Sequence, residues 1–131
     1  MMELVLKVHS GRMAVCQLPA HLEIEQPAAD NVLWALVVTA EERSLVCPEE
    51  HVPQQAIKVE KGWRVMQVQG PLDFGLIGVL ANLSQTLAQA AVSIFVLSTY
   101  DTDYLLVKEA QLNQAILALQ QAGHSISWQE T

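Results

Sequence analysis

The stretch VSIFVLSTYDTDYLLVKE, Val92–Glu109, joins two short apolar runs through a polar segment. The first run, Val92–Thr99, is rich in β-branched residues, and Tyr104–Val107 is a second run of the same kind. Asp101 and Asp103 lie between them, and Asp is favoured in turns because its side chain bonds to nearby backbone. The stretch therefore predicts a β-hairpin. It leaves open whether the two carboxylates form a catalytic pair, a ligand site or only the turn.

The sequence around this hairpin predicts a further strand and a helix on each side. Before it, Trp63–Gln69 has strand spacing, and the next apolar residues recur at helical intervals, with Asp73 placed to cap the helix. These apolar residues are Leu76, Val79, Leu80, Leu83 and Leu87. After it, a second amphipathic helix at Leu112–Leu119 stops at Gly123, and His124–Trp128 alternates as a last strand. The predicted fold class is α+β: a ferredoxin-like βαββαβ unit with two helices on one face of a four-stranded antiparallel sheet.

A similar pattern lies 60 residues earlier in the chain. At this offset TAEERSLVCPE meets TYDTDYLLVKE, and Val5 and Val8 meet Val65 and Val68. We therefore predict two tandem units, residues 1–60 and 61–131. The first is degenerate, because the Ser10–Asn31 segment contains two prolines and lacks helical periodicity where the first helix would be expected. Extended chain with turns is predicted there.

The composition argues against several classes of protein. The net charge is −7, with no run of Lys or Arg, so a nucleic-acid backbone or an anionic membrane would repel the chain. The uncharged stretch Phe74–Tyr100 contains too many amides and hydroxyls for a membrane span. The N-terminal residues lack the apolar region of a signal peptide, so we expect a cytoplasmic protein.

The residue types that carry most catalysis form no motif in this sequence. Cys16 and Cys47 lie among apolar neighbours, which favours reduced core thiols over a disulfide. The four histidines are scattered, so no metal site is predicted, and no phosphate-binding loop or nucleophile motif indicates a cofactor or a reaction. We expect that the protein is not an enzyme. A small metabolic enzyme remains an alternative, since catalytic residues converge in space rather than in sequence.

The segment Gly70–Leu119, GPLDFGLIGVLANLSQTLAQAAVSIFVLSTYDTDYLLVKEAQLNQAILAL, resembles an ACT domain. Within that superfamily it is most similar to the regulatory domain of aspartokinase and to small tandem ACT proteins related to a eukaryotic arginine sensor. The resemblance rests on the turn before the first helix, Gly70–Gly75, and on the strand that leads to a Ser-Thr turn, Ile94–Thr99. It extends weakly to Val32–Glu49.

The resemblance implies a regulatory or sensing module that binds an amino acid between paired ACT units. The implied contacts are Gly70, Leu72, Asp73, Phe74, Gly75, Ser93, Ile94 and Phe95. A helix N-terminus could hold the α-carboxylate of the ligand, and a carboxylate could hold its ammonium group. We expect Asp101 and Asp103 at most on the rim of the site. An acidic opposite wall would favour a basic ligand, and an apolar wall a branched or aromatic one.

Two alternatives remain open. Asp73 could act only as a helix cap. The whole module could also have lost its ligand and act by dimerising or by docking on an enzyme. In either case each small unit leaves sheet edges and one sheet face to be covered, so a homodimer or a higher oligomer is expected.

Overall fold

A computed structural model describes residues 2–25, 32–72 and 77–129 of the chain. The contacts divide the chain into two compact units. The larger unit joins Met1–Ser10 to Arg64–Glu130, and the smaller unit is essentially Gly11–Trp63. The division into domains 1–60 and 61–131 stays a prediction.

The strands and helices follow one another in a mixed α and β order. The strands are β1 Val5–His9, β2 Met13–Leu18, β3 Ala35–Val38, β4 Arg43–Pro48, β5 Lys58–Val68, β6 Ile94–Ser98, β7 Asp103–Lys108 and β8 Ser125–Gln129. The helices are α1 Val79–Gln89 and α2 Leu112–Gln121, with short 3-10 helices at Glu49–His51 and Glu109–Gln111. In the described part of the chain, no helix is both long and apolar enough to cross a bilayer.

The larger unit has the predicted βαββαβ order, built from the end of β5, α1, β6, β7, α2 and β8. The prediction of four antiparallel strands is wrong, because β1 lies between β5 and β8 and makes a fifth strand. Leu6 is opposite Val68 of β5 in an antiparallel pair and opposite Ile126 of β8 in a parallel pair. Leu6 and Val8 are fully buried, so β1 completes the core as well as the sheet.

The core of the larger unit lies between one face of its sheet and the two helices. Leu83 and Leu87 of α1 pack in it together with Ala115 and Leu119 of α2. Helix α1 begins only at Val79, with Gly78 as its N-cap residue at φ 84°. The prediction that Asp73 caps this helix is therefore wrong, and Asp73–Leu76 lie outside the described residues. Gly123, at φ 98°, follows α2 as predicted.

The smaller unit consists of antiparallel pairs in the order β3–β4–β2–β5. Separate strands had been predicted at Ala56–Glu60 and Trp63–Gln69, but β5 runs through both, with Gly62 at φ 84° inside it. Cys16 and Cys47 are buried free thiols, as predicted from their neighbours. Burial is the main cause that raises the pKa of Cys47 to about 12, and it also raises the pKa of Cys16.

The two hairpins that lie 60 residues apart have the same register. Leu36 is opposite Leu45 in β3–β4, and Val96 is opposite Leu105 in β6–β7. The 3-10 helices that follow begin at Glu49 and Glu109. The match of Val5 and Val8 to β5 has a different meaning, because β1 pairs with β5 inside the larger unit. That part of the repeat alignment does not identify equivalent strands of two units.

Candidate functional site

A cavity of about 400 Å³ lies in the larger unit, beside the start of α1. One wall is formed by the first residues of α1, and the other by the turn between β6 and β7. The described lining residues are Leu72, Gly78, Val79, Leu80, Ala81, Ser98, Thr99, Tyr100, Asp101, Thr102 and Asp103. The hairpin from which the sequence analysis began therefore supplies one whole side of the cavity.

The helical wall presents the first turn of α1. The first N–H groups of an α-helix have no acceptor within the helix, and the helix dipole adds partial positive charge at this end. Its first turn contains no acidic and no basic residue. This wall is therefore suited to accept a carboxylate or another small anionic group.

The opposite wall is acidic. Asp103 Oδ1 accepts a hydrogen bond from Ser98 Oγ at 2.6 Å, and Asp101 is exposed. Burial raises the pKa of Tyr104, and the negative charge of Asp101 raises it further. The described lining contains these two carboxylates and no Lys, Arg or His. The cavity thus combines an electropositive helix end with a negative turn, an arrangement that suits a ligand with a cationic group.

Local hydrogen bonds give the turn its shape and place it against the chain that precedes α1. The Thr99 N–H donates to the Thr102 carbonyl at 2.8 Å, and the Thr102 N–H donates to Thr99 Oγ1 at 3.3 Å. The Leu72 N–H donates to the Asp101 carbonyl at 2.7 Å. A Cβ at Gly70 would lie 3.1 Å from that same carbonyl oxygen, so the two segments are in close contact.

The structure brings some of the predicted site residues together and separates others. Leu72, Asp101 and Asp103 line the cavity, and Gly70 contacts the turn. Asp73, Phe74 and Gly75 lie outside the described residues.

The predicted contacts Ser93, Ile94 and Phe95 lie at the other end of β6. Four residues separate Ile94 from Ser98, about 13 Å at ~3.3 Å per residue. The Ser93 N–H donates to Gln111 Oε1 at 3.3 Å, and Ile94 packs against the helix-covered core. These three residues do not line this cavity, and a contact between them and a ligand stays a prediction.

Sequence reasoning gave no individual role to several lining residues. Ser98 and Tyr100 flank the turn, and Gly78–Ala81 form the helical wall. The signal for the first two was present in STYDTD, whose polar side chains were interpreted only as a turn. The helical wall was missed because the helix was predicted to begin at Asp73 rather than at Val79.

No group of three or more His, Cys, Asp or Glu side chains that could hold a metal ion occurs among the residues that the structure describes. The cavity therefore has to be judged by the groups it presents to an organic ligand.

Comparison with known proteins gives one family and several similar folds. Residues 58–121 match the model of the ACT domain family. Protein Atu0741 from Agrobacterium tumefaciens is 30% identical, with 100% of this chain and 97% of that chain covered and a TM-score of 0.88.

Two aspartate kinase structures are similar in fold. The aspartate kinase from Synechocystis gives a TM-score of 0.67 at 18% identity, and the match covers 93% of this chain and 27% of that one. The ligand-free regulatory subunit of aspartate kinase from Thermus thermophilus gives 0.57 at 12% identity, with 92% and 97% covered.

Proposed function

Because the chain belongs to the ACT domain family, we propose that it is a non-catalytic regulatory protein that binds a basic amino acid in the cavity between α1 and the Thr99–Thr102 turn. The observation that carries this proposal is the charge of the lining: Asp101 and Asp103, with no basic residue among the described lining. The ligand class follows from this wall, since an apolar wall would have favoured a branched or aromatic ligand.

In the proposed complex, opposite walls hold opposite charges of the ligand. The α-carboxylate lies at the first turn of α1, where N–H groups and the dipole stabilise an anion. A cationic group of the ligand lies against Asp101 and Asp103, where charge-assisted hydrogen bonds are available. The Leu72 side of the cavity supplies apolar contact for the methylene groups.

A regulatory role is supported by the family and by the fold likeness to the regulatory subunit of the Thermus aspartate kinase. We further propose that the chain is a tandem ACT protein in which the smaller unit is the degenerate member. Support comes from the two hairpins of equal register and from one ion pair in each unit, Arg12–Glu49 at 3.4 Å and Arg64–Glu109 at 3.6 Å. The homodimer stays a prediction that light scattering after size-exclusion chromatography would check.

Thermal unfolding in the presence of each of the twenty amino acids tests the binding proposal. We expect arginine or lysine to raise the melting temperature, because a ligand that binds only the folded state stabilises it, by about 2.7 kcal/mol at 100 times Kd. Citrulline, which replaces the guanidinium of arginine by a neutral group, should raise it much less. Calorimetric titration then gives the Kd of each ligand.

Matched substitutions locate the site. Asp101→Asn and Asp103→Asn should each weaken binding by about tenfold, since each removes one charge-assisted contact. Glu41→Gln is the control, because Glu41 lies 60 residues before Asp101 in the hairpin of the smaller unit and should leave the Kd unchanged. If no amino acid stabilises the protein, the binding proposal is wrong. Specific co-purification of an enzyme would then favour a module that acts by docking.

A further inference from the structure

Thr102 lies between the two carboxylates of the cavity, but its own side chain points away from solvent. Thr102 is 5% exposed, and its Oγ1 donates to the Val68 carbonyl at 2.6 Å. Val68 is the last residue of β5 and is fully buried. The hydroxyl therefore connects the turn directly to the end of a central strand.

The smaller unit shows that this hydroxyl is not needed to form such a turn. Its hairpin has the same local bonds: the Thr39 N–H donates to the Glu42 carbonyl at 2.9 Å, and the Glu42 N–H donates to Thr39 Oγ1 at 3.0 Å. Glu42 stands where the cavity hairpin has Thr102, and it is exposed, with its carboxylate 3.4 Å from Gln17 Nε2. The first threonine closes both turns, and the side chain at the fourth position is free to do something else.

At the cavity, the fourth position fixes the turn relative to the chain before α1. The Thr102 hydroxyl ties the turn to Val68, and the Leu72 N–H donates to the Asp101 carbonyl at 2.7 Å. Between these bonds, a Cβ added at Gly70 would lie 3.2 Å from Thr102 Cβ, so the two segments cannot slide freely past each other. Asp101 and Asp103 lie on either side of this tie, and Leu72 lines the same cavity.

We infer that Thr102 is a positioning residue: its hydroxyl holds the acidic wall against the Gly70–Leu72 segment and so sets the preference of the cavity for cationic over neutral ligands. The choice of ligand rests on the proposed function. The positioning itself rests only on the contacts within the larger unit. Without the tie, the carboxylates keep their charge but lose their fixed place relative to Leu72, and an attraction between two charges weakens as their distance grows.

Two variants separate the hydroxyl from the shape of the side chain. Thr102→Val keeps the branched shape and removes the donor, and Thr102→Ser keeps the donor. Titrations with arginine and with citrulline measure the preference of each protein. We expect T102V to weaken arginine binding by about tenfold, the size of effect that a lost buried hydrogen bond produces, and to change citrulline binding little. T102S should retain the ratio of the unmodified protein. A purely structural role would lower the melting temperature of T102V and leave that ratio unchanged, which would overturn the inference.

Amide hydrogen exchange tests the positioning without any ligand. In T102V we expect the Leu72 amide to exchange at least about tenfold faster, while the Thr99 and Thr39 amides, which close the two turns, keep their rates. An unchanged Leu72 rate would overturn the positioning. If the unmodified protein binds neither arginine nor citrulline, the proposed function and the ligand preference both fail. The exchange of Leu72 then still decides whether Thr102 positions the turn.

Discussion

Ala91, directly after α1, has a backbone conformation that favours glycine. Its φ is 60°, and the Val92 N–H donates to the Leu87 carbonyl at 2.9 Å. A residue with a Cβ is strained at positive φ by roughly 1–2 kcal/mol. We therefore expect Ala91→Gly to raise the free energy of unfolding by about 1 kcal/mol, after the extra entropy of glycine in the unfolded chain is subtracted. Urea denaturation measures this difference.

Ala88→Gly is the matched control for this change. Ala88 is an exposed residue inside α1, where glycine should lower the free energy of unfolding by about 1 kcal/mol. The two substitutions remove the same methyl group three residues apart, and opposite signs are expected. A loss of stability in both variants would show that strain at Ala91 does not limit stability.

The ends of the two helices show which residue details a sequence can predict. After α2, Gly123 has φ 98° and the His124 N–H donates to the Leu119 carbonyl at 3.0 Å, which is the arrangement found after α1. Gly123 was predicted as a stop because glycine is the usual residue there. Ala91 carried no such signal, since alanine is a strong helix former. The turn at Asp101 and Asp103 was predictable for the same reason as Gly123, but the buried hydroxyl of Thr102 was not.

At the scale of elements, His124 connects α1, β1 and β8. The Leu4 N–H, just before β1, donates to His124 Nδ1 at 3.1 Å. Nδ1 therefore lacks a proton, so Nε2 carries it and donates to Asn82 Oδ1 in the first turns of α1 at 3.1 Å. An imidazolium would place a second N–H against that of Leu4. Burial lowers the pKa of His124 below 6.5, and the negative charge of Glu3 opposes this in part.

This lowered pKa predicts a loss of stability in acid. Below pH 6.5 the unfolded chain binds a proton at His124 that the folded chain binds only at a lower pH, so the free energy of unfolding falls as the pH falls through this window. Above pH 6.5 the histidine is neutral in both states and contributes no pH dependence. Urea denaturation at a series of pH values should show this loss in the unmodified protein.

His124→Asn can keep an acceptor for the Leu4 N–H but cannot titrate, so it should have a flatter pH profile. His21→Asn, at an exposed residue, is the control and should keep the original profile. Carboxylates titrate in the same range, so the difference between profiles is the informative quantity. Equal slopes for His124→Asn and the unmodified protein would contradict the assignment of the neutral histidine.

The elements themselves were predictable to different degrees. The hairpin β6–β7, α2 and β8 followed from apolar spacing and from Gly123, and the structure places them where the pattern did. The start of α1 was predicted too early, because apolar spacing continues through Leu76 while Gly78, at φ 84°, takes the N-cap position. Periodicity alone cannot tell where a helix begins when no strong cap stands beside the pattern.

At the scale of the whole molecule, the strand order carries the information that the sequence hides. Local patterns predicted a four-stranded sheet in the C-terminal part of the chain, but β1 inserts between β5 and β8. The pairing of β1 with β8 joins residues that are 120 apart in the sequence, such as Val5 and Ser125. Hydrophobic alternation shows that β1 is a strand and says nothing about its partner. The match of Val5 to Val65 pointed instead to a repeat.

The position of β1 leads to a prediction about how the larger unit folds. Leu6 is 0% exposed and pairs with strands on both sides, so Leu6→Ala should lower the free energy of unfolding by about 2–5 kcal/mol. Lys7→Ala is the control, since Lys7 is half-buried outside the helix-covered core and should change it little. A fragment of residues 61–131 tests the same point more severely. It lacks the strand that separates β5 from β8 and should not unfold cooperatively in urea, whereas residues 1–10 joined to its C-terminus by a flexible linker should restore a cooperative transition. If 61–131 alone unfolds as cooperatively as the full chain, β8 can pair with β5 directly, and β1 is an addition to the sheet rather than a part that the fold requires.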